Sequence, residues 1–410
     1  MATLLVVMAL FFLVSMVAAY ASRNLVFEQR TSANQYRSTQ AFEVAEGGVE
    51  WALSQLNGGR VDASCNGTAN PAAASFRERF IVVDPTLGTV APVTWASPAG
   101  TAPLNPSCVR QAGGWSCSCP AASAPVLDDG GGVGVKPVFR IQFEGTTTPG
   151  IFRIRSTGCT ANDDNCLRLG RGEGAEAAAR VNVTVALAPA LAMLPNAAIT
   201  VRGSYRITGA QRVGNDDAGT NGITIQAGGS VSADAAVLDT APGTPGGQSI
   251  VSNDATLAGL TADRMFVSFF GVSRAAFQRK PTTLSFTCGG GCGERLRDLV
   301  ARQPGRPIWV TDTLTLDAPV AIGSPAMPAL LVLGGGLEMS SAGASITGLV
   351  YAQAATWPSA GRGSLQGALL SEGSIDGSSG PDVRYDAAVI NRIRVTQGPV
   401  VRVPGGWRDF

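Results

Sequence analysis

The cysteines, together with a complete lack of histidine, limit the chemistry open to this chain. The 410 residues include eight cysteines and no histidine, which excludes Ser-His-Asp and Cys-His catalysis and any His-ligated zinc site. Cys159 and Cys166 are close in sequence, as are Cys288 and Cys292, and no C-x-x-C pair occurs. An even count at such spacings favours disulfides over a thiolate metal knuckle, and therefore an oxidising compartment such as the periplasm.

The other four cysteines are also expected to form disulfides. They are Cys65, Cys108, Cys117 and Cys119. We expect these four to pair among themselves, with a connectivity that the sequence leaves open. Local bonds are expected at Cys159–Cys166 and Cys288–Cys292.

Acidic loops are the remaining candidates for a functional site. Asn162-Asp163-Asp164, Asn215-Asp216-Asp217 and Asp128-Asp129 offer the oxygen ligands that calcium prefers, although Asx residues are also common in turns. We place a candidate calcium site at Asp163 and Asp164, because a Cys159–Cys166 loop would fix them, and expect no other cofactor. No carboxylate pair stands out in the strand-like segments, so we expect no enzymatic activity. A net charge of +1, without a Lys/Arg cluster, argues against nucleic acid as a partner.

The N-terminal segment is the element most informative about function. Met1 to Ser22 contains no charged residue, and about 33 Å of helix would cross a bilayer core. The run is too long, and lacks the basic residues, for a cleavable signal. The apolar pattern then continues at spacings of three and four as a core stripe, up to the stop at Asn57-Gly58-Gly59. The stripe consists of Phe42, Ala45, Val49, Ala52, Leu53 and Leu56.

Residues 1–57 are therefore predicted to form one long helix. Its N-terminal half, the front, suits lipid, and its C-terminal half, the rear, suits packing on a globular domain. A plain single-pass anchor with a helical stalk is the alternative. Three stretches, "MATLLVVMALFFLVSMVAAY", "FEQRTSANQYRSTQ" and "AFEVAEGGVEWALSQLN", resemble the N-terminus of type IV filament subunits, and among them the PilX-type minor pilins. The resemblance covers about 57 residues. It implies that the run first anchors the subunit in the membrane and later packs in a filament core.

The resemblance also implies processing of the N-terminus. A basic leader would be removed by a prepilin peptidase, and Met1 would then be the first mature residue and the site of N-methylation. Pilins commonly carry glutamate at the fifth mature position, where this chain has Leu5. That glutamate is thought to pair with the N-terminal amine of the preceding subunit, so Leu5 implies a subunit that enters first and ends at the tip. The alternative is a minor subunit that tolerates an apolar residue here and packs anywhere in the filament.

The rest of the chain predicts an α+β protein. Residues 58–190 contain three alternating segments that predict an antiparallel sheet packed on the helix, and residues 191–410 contain short Gly-broken strands with helical inserts. This second part is interpreted as a β-solenoid, with a β-sandwich as the alternative. "SRAAFQR", "GERLRDLVARQ" and "YDAAVINRIRV" are predicted helices.

The expected function is that of a minor pilin that primes type IV pilus assembly at or near the tip and contributes to adhesion. The resemblance implies as partners other minor pilins and the major pilin, the inner-membrane assembly platform, a tip adhesin, and the membrane before assembly. The chain would lie in the inner membrane of a Gram-negative bacterium, with its body periplasmic, and then at the extracellular pilus tip. The alternatives are a K-type minor pseudopilin of a type II secretion system and a membrane-anchored adhesin.

Overall fold

Seven helices are present in the part of the chain that the computed structural model describes, residues 2–70, 72–128, 136–162, 177–233 and 236–408. They are α1 Ala2–Leu56, α2 Phe76–Phe80, α3 Ala255–Ala258, α4 Ala262–Phe270, α5 Arg274–Arg279, α6 Gly293–Arg302 and α7 Ala387–Thr396. The predicted long N-terminal helix is confirmed as α1, which at 1.5 Å per residue is about 80 Å long.

The strands fall into an N-terminal and a C-terminal group. The first group is β1 Ile81–Val83, β2 Val90–Pro92, β3 Thr94–Ser97, β4 Gly100–Pro103, β5 Ser107–Gln111, β6 Gly114–Ser118, β7 Val138–Gly145, β8 Ile151–Cys159 and β9 Ala178–Leu187. The second group begins with β10 Ile199–Val201, β11 Tyr205–Ile207, β12 Gln211–Asn215, β13 Ile225–Ala227, β14 Val231–Ser232, β15 Ala236–Thr240, β16 Ile250–Val251, β17 Leu284–Phe286 and β18 Ile308–Val310. It continues with β19 Leu314–Leu316, β20 Ala321–Ile322, β21 Ala329–Leu333, β22 Leu337–Met339, β23 Ser345–Ala352, β24 Thr356–Gly361, β25 Ser364–Ser371, β26 Ser374–Gly377, β27 Asp382–Tyr385 and β28 Val400–Arg408.

An antiparallel sheet supports the rear half of α1. Its strand order is β28-β9-β8-β7-β5-β6, and α1 packs on β7, β8 and β9. Alternating burial along β7, as in Phe139, Ile141 and Phe143, gives the sheet one apolar face toward the helix. The helix-on-sheet arrangement expected from the alternating segments is therefore present.

The C-terminal group, apart from β28, forms a three-faced parallel solenoid. One face stacks β17, β18, β21, β23, β25, β10, β13 and β16, and a second stacks β19, β22, β24, β26, β11 and β14. The third stacks β20, the first halves of β23 and β25, then β27, β12 and β15. All these pairs are parallel, so the solenoid interpretation is confirmed and the sandwich alternative is wrong.

Two glycines let single strands turn a corner of the solenoid. Gly348 in β23 and Gly367 in β25 pair with each other at φ +155° and +136°. A Cβ at Gly348 would meet the Ala329 carbonyl, and one at Gly367 would meet the carbonyl of Gly348. Glycine is needed here because the backbones of successive coils approach too closely for any side chain.

The coils are permuted relative to the sequence. The first coil, β10 to β12, pairs with the last coil, β25 to β27, and lies in the middle of the stack. From this middle coil the chain adds coils in one direction as far as β16, at one end of the stack. Helices α3, α4 and α5 then lead to β17, which lies at the other end of the stack. The returning helices pack along one face, where Phe266 and Phe277 meet Trp309 and Phe266 and Phe270 meet Tyr351.

The end of the chain departs from the predicted division into segments 58–190 and 191–410. Strand β28 pairs antiparallel with β9 and thus belongs to the first sheet, not to the C-terminal solenoid. The cause is apolar contact with the N-terminal helix: the Trp407 ring meets Phe42 edge-to-face at 6.1 Å.

Candidate functional site

The front of α1 is an apolar surface that the rest of the described chain does not cover. Every side chain from Val6 to Tyr36 is exposed, including Phe11 at 75% and Met8 at 68%. Exposure of a contiguous apolar surface of this kind marks a membrane or protein contact rather than a solvated face. The front half of α1 is therefore the main candidate functional surface.

The dimensions of this surface match a bilayer. Its most apolar window has a mean hydropathy of 1.9 and no buried residue. Ala2 to Ser22 would span about 32 Å, close to the hydrocarbon thickness. The first charges, Arg23, Glu28 and Arg30, follow directly. One N-terminal apolar helix of this length suggests membrane anchoring.

The rear of α1 is held to the body by small residues that permit close approach. Ala41, Ala45 and Gly48 face strand β8, and a Cβ at Gly158 would meet the Ala41 carbonyl and the Ala45 amide. A side chain at Gly48 would likewise collide with Ser156. The helix therefore sits almost directly on the backbone of β8.

Larger side chains of the predicted core stripe fill the space around this contact. Ala45, Val49 and Leu56 are fully buried, and Phe42 and Leu53 are partly buried against the same cluster. The structure thus brings all six predicted residues, Ala52 included, to one side of α1. Ala41 is also buried, although it was not among the six.

The C-terminal strand fastens the end of α1. The Asn57 side chain donates to the Val400 carbonyl at 3.0 Å and accepts from the Val400 amide at 2.8 Å. Glu50 on the exposed side of α1 forms an ion pair with Arg402 of β28. Residues separated by more than 340 positions are thereby joined.

Arg77 links α1 to the segment that follows α7. Its guanidinium donates to the carbonyls of Leu56 at 3.1 Å, Thr396 at 2.7 Å and Gly398 at 3.1 Å. Burial lowers the pKa of the Arg77 guanidinium to about 10; Glu78 opposes this shift and Arg306 adds to it. The sequence pattern gave no sign of this role, because a single arginine in a short polar helix looks solvated.

A second buried ionic group ties the returning helices to the solenoid. Arg274 of α5 contacts Glu372 at 2.8 Å and Asp263 at 2.8 Å, and the Glu372 side chain is 2% exposed. Burial raises the pKa of Glu372, and its contacts with Arg274 and Tyr351 oppose that shift only in part. Glu372 follows a buried strand directly, which is the one sequence signal that could have singled it out.

The disulfides fit an oxidising compartment. Cys65 is bonded to Cys119 and Cys108 to Cys117, within the set of four, and Cys288 is bonded to Cys292. Cys159 is also disulfide-bonded. The predicted partner Cys166 lies outside the described residues, so the Cys159–Cys166 bond stays a prediction.

The candidate calcium ligands Asp163 and Asp164 also lie outside the described residues, as does Met1. Within the described ranges, no group of three or more acidic or cysteine side chains is placed to hold a metal ion. Asp216, from a second acidic loop, forms an ion pair with Arg384 at 2.9 Å. This ion pair joins the first coil of the solenoid, which contains β12, to the last coil, which contains β27.

Comparisons with known proteins add little to this picture. No protein-family model and no curated protein sequence matches the chain. Among solved structures, the chain is similar to the competence-associated pilin ComZ from Thermus thermophilus. That match has 12% identity, covers 91% of this chain and 97% of that one, and has a TM-score of 0.24. A TM-score this low supports no argument, so the functional interpretation depends on the chain itself.

Proposed function

We propose that this protein is a PilX-type minor pilin that primes type IV pilus assembly and lies at or near the pilus tip. The observation that carries the proposal is the division of α1 into an exposed apolar front and a rear that is docked on an antiparallel sheet. Such a helix can move from lipid into a bundle of apolar helices at little cost in hydrophobic free energy, because both environments are apolar. Its role is structural rather than enzymatic.

The solenoid supports a position at the filament end. It carries about half of the chain, from β10 to α7, and it lies beside the end of α1, where Arg60 donates to the Ala301 carbonyl. A body of this size is difficult to repeat along a shaft in which apolar helices pack tightly, whereas a terminal subunit has free space on one side. An adhesive contribution of the solenoid would follow from the same position.

The proposed life cycle follows from these parts. The subunit is held in the inner membrane by the front of α1, with its disulfide-bonded body in the periplasm. Prepilin processing and N-methylation of the N-terminus would precede assembly. The assembly platform would then move it, with other minor pilins and the major pilin, into a growing filament.

Deleting the gene tests this function. We expect loss of surface pili, restored by the wild-type chain, with protein secretion unchanged. Normal piliation together with a defect in secretion would contradict the pilus assignment and favour the pseudopilin alternative. Loss of attachment alone, with normal pili and normal secretion, would contradict the priming role.

A further inference from the structure

The end of the solenoid that starts with β17 is covered. The Thr315 amide of the terminal strand β19 donates to the Cys288 sulfur at 3.5 Å, and α6 packs on the terminal strand β20 with Leu296 fully buried. Arg60 donates to the Ala301 carbonyl of α6, so this covered end lies beside the end of α1. Covers of this kind keep the last strands of a sheet from pairing with another chain.

The third face of the solenoid ends differently at the other end of the stack. Its last strand, β15, lies five strand spacings from β20, or about 24 Å. Strand β15 pairs only with β12, and within the described residues the backbone of Val237–Thr240 makes no hydrogen bond to any other segment. Val237 is 52% exposed. Such a row of unpaired N–H and C=O groups is a template for a further strand.

The space beyond β15 is one strand deep. Strand β16 already occupies the first face of the next coil, where it pairs with β13. The short 3-10 helix Gly246–Ser249, which leads into β16, packs on the side chain of Leu238 and covers the apolar interior. A second copy of the solenoid would bring a complete coil to the level of β16 and collide with it. A single extended peptide fits beside β15 at that level.

The side chains of β15 specify what this peptide carries. Val237 and Asp239 point outward, and the residues that alternate with them point toward the interior. On β12, the position beside Asp239 is Gly214, which has no side chain. Asp239 is 52% exposed and contacts Arg212 at 3.6 Å, a separation that leaves room for a second cation. Opposite charges on adjacent strands stabilise the pairing, so a lysine or arginine beside Asp239 is favoured.

We propose that β15 binds an extended segment of a partner protein, which adds to the third face as one further strand. All neighbouring pairs in the solenoid are parallel, so the added strand runs parallel to β15. Its inward side chains are apolar, and a basic side chain lies beside Asp239. Backbone hydrogen bonds supply affinity in this mode of recognition, and alternate side chains supply specificity. The inference does not depend on filament assembly, because the edge of β15 is open in the single subunit.

Photocrosslinking in cells that produce the full chain tests the proposal. A benzophenone amino acid replaces Val237 in one strain and, as the control, the 43% exposed Val267 of α4 in another. We expect position 237 alone to give a covalent adduct, with the link mapped to one short segment of another protein. Absence of an adduct, equal adducts from both positions, or an adduct with a second copy of this chain would overturn the proposal.

Hydrogen exchange on the purified adduct tests whether the contact is a strand pairing. Amides of β15 that gain a backbone hydrogen bond should exchange at least tenfold more slowly than in the free chain. Exchange in α4 should be the same in both. Unchanged exchange throughout Val237–Thr240 would show that the partner contacts side chains only, which would overturn the strand assignment.

Asp239→Asn tests the predicted basic side chain of the partner. The change should lower the yield of the adduct from position 237 at least threefold, because an opposite-charge contact is lost. Asp298→Asn is the matched control, since Asp298 on α6 is 53% exposed and is likewise paired with an arginine. We expect that control to leave the yield unchanged. An equal yield for both variants would contradict the assignment of a basic side chain beside Asp239.

Discussion

At the scale of single residues, substitution of Arg77 tests how the helix-and-sheet part of the body is joined to the segment that follows the solenoid. Arg77→Met should leave three backbone carbonyls without their donor and should lower the free energy of unfolding by about 2–4 kcal/mol. Urea unfolding followed by tryptophan fluorescence measures this loss. Arg153→Met, an exposed arginine on β8, is the matched control and should change stability by less than about 0.5 kcal/mol. Equal stability of both variants would mean that the junction does not depend on Arg77.

Glu372 gives a prediction for pH dependence. Burial raises its pKa above the ordinary value of 4.5, so its protonated form favours the folded state and its contribution to stability falls as pH rises through that raised pKa. Glu372→Gln mimics the protonated form. Its melting temperature relative to the wild type should therefore increase between pH 4.5 and pH 7.

Thermal unfolding at several pH values measures that difference. A Glu372→Gln difference that stays flat over this range, or that decreases with pH, would contradict the assignment of a raised pKa.

Disulfide loops supply a third prediction at the residue scale. Cys65–Cys119 spans 54 residues and Cys288–Cys292 spans four, so chain entropy assigns them about 4 and about 2 kcal/mol respectively. Replacing the first pair by serines should destabilise the protein more than replacing the second. Mass mapping of non-reduced peptides should recover both bonds together with Cys159–Cys166. Free thiols after periplasmic expression, or the reverse order of stabilities, would refute this.

At the scale of elements, the contact between α1 and the sheet is where a single substitution should have the largest effect on folding. Val49→Asp would bury an unpaired carboxylate and should prevent the body from accumulating. Gly47→Asp, two residues earlier, introduces the same charge at an exposed position with no atoms close to its Cβ, and should accumulate normally. Normal yield and an unchanged melting temperature for Val49→Asp would show that this face of α1 is not the core.

The elements with a clear period were predictable from the sequence. The alternation of apolar and polar residues in β7, β8 and β9, and the spacing in α1, α5, α6 and α7, gave the correct element types. Helix α4 was missed, although "ADRMFVSFF" places the buried Met265, Phe266, Phe269 and Phe270 at the spacing of one helix face. Its boundaries are nevertheless encoded locally: Thr261 caps the first turn, and Gly271 adopts a left-handed conformation at φ +69° after the last.

The pairing of coils could not be predicted. Strands β11 and β26 pair in parallel although 170 residues separate them, and Arg206 on one contacts Asp376 on the other at 2.9 Å. No local pattern encodes such a partner. The role of Arg77 was missed for the same reason, since the carbonyls of Leu56, Thr396 and Gly398 come together around it only through the tertiary fold.

At the scale of the whole molecule, the chain combines an apolar rod with a body that has two different β architectures. The sequence resemblance to filament subunits concerns only the rod and its docking residues. The solenoid is a separate addition whose first and last coils pair and whose final segment returns to the first sheet through β28. Because both ends of the solenoid segment are anchored in this way, we expect the body to move as one unit.

Immunogold electron microscopy on intact pili tests the central claim most directly. An antibody raised against the solenoid, residues 199–385, should label one end of each pilus, with at most one cluster of gold per filament. Pre-immune serum on the same pili, and the antibody on cells of the deletion strain, provide the controls for specificity. Regular labelling along the shaft, or labelled cells with unlabelled pili, would contradict the proposal that this protein is assembled at the tip.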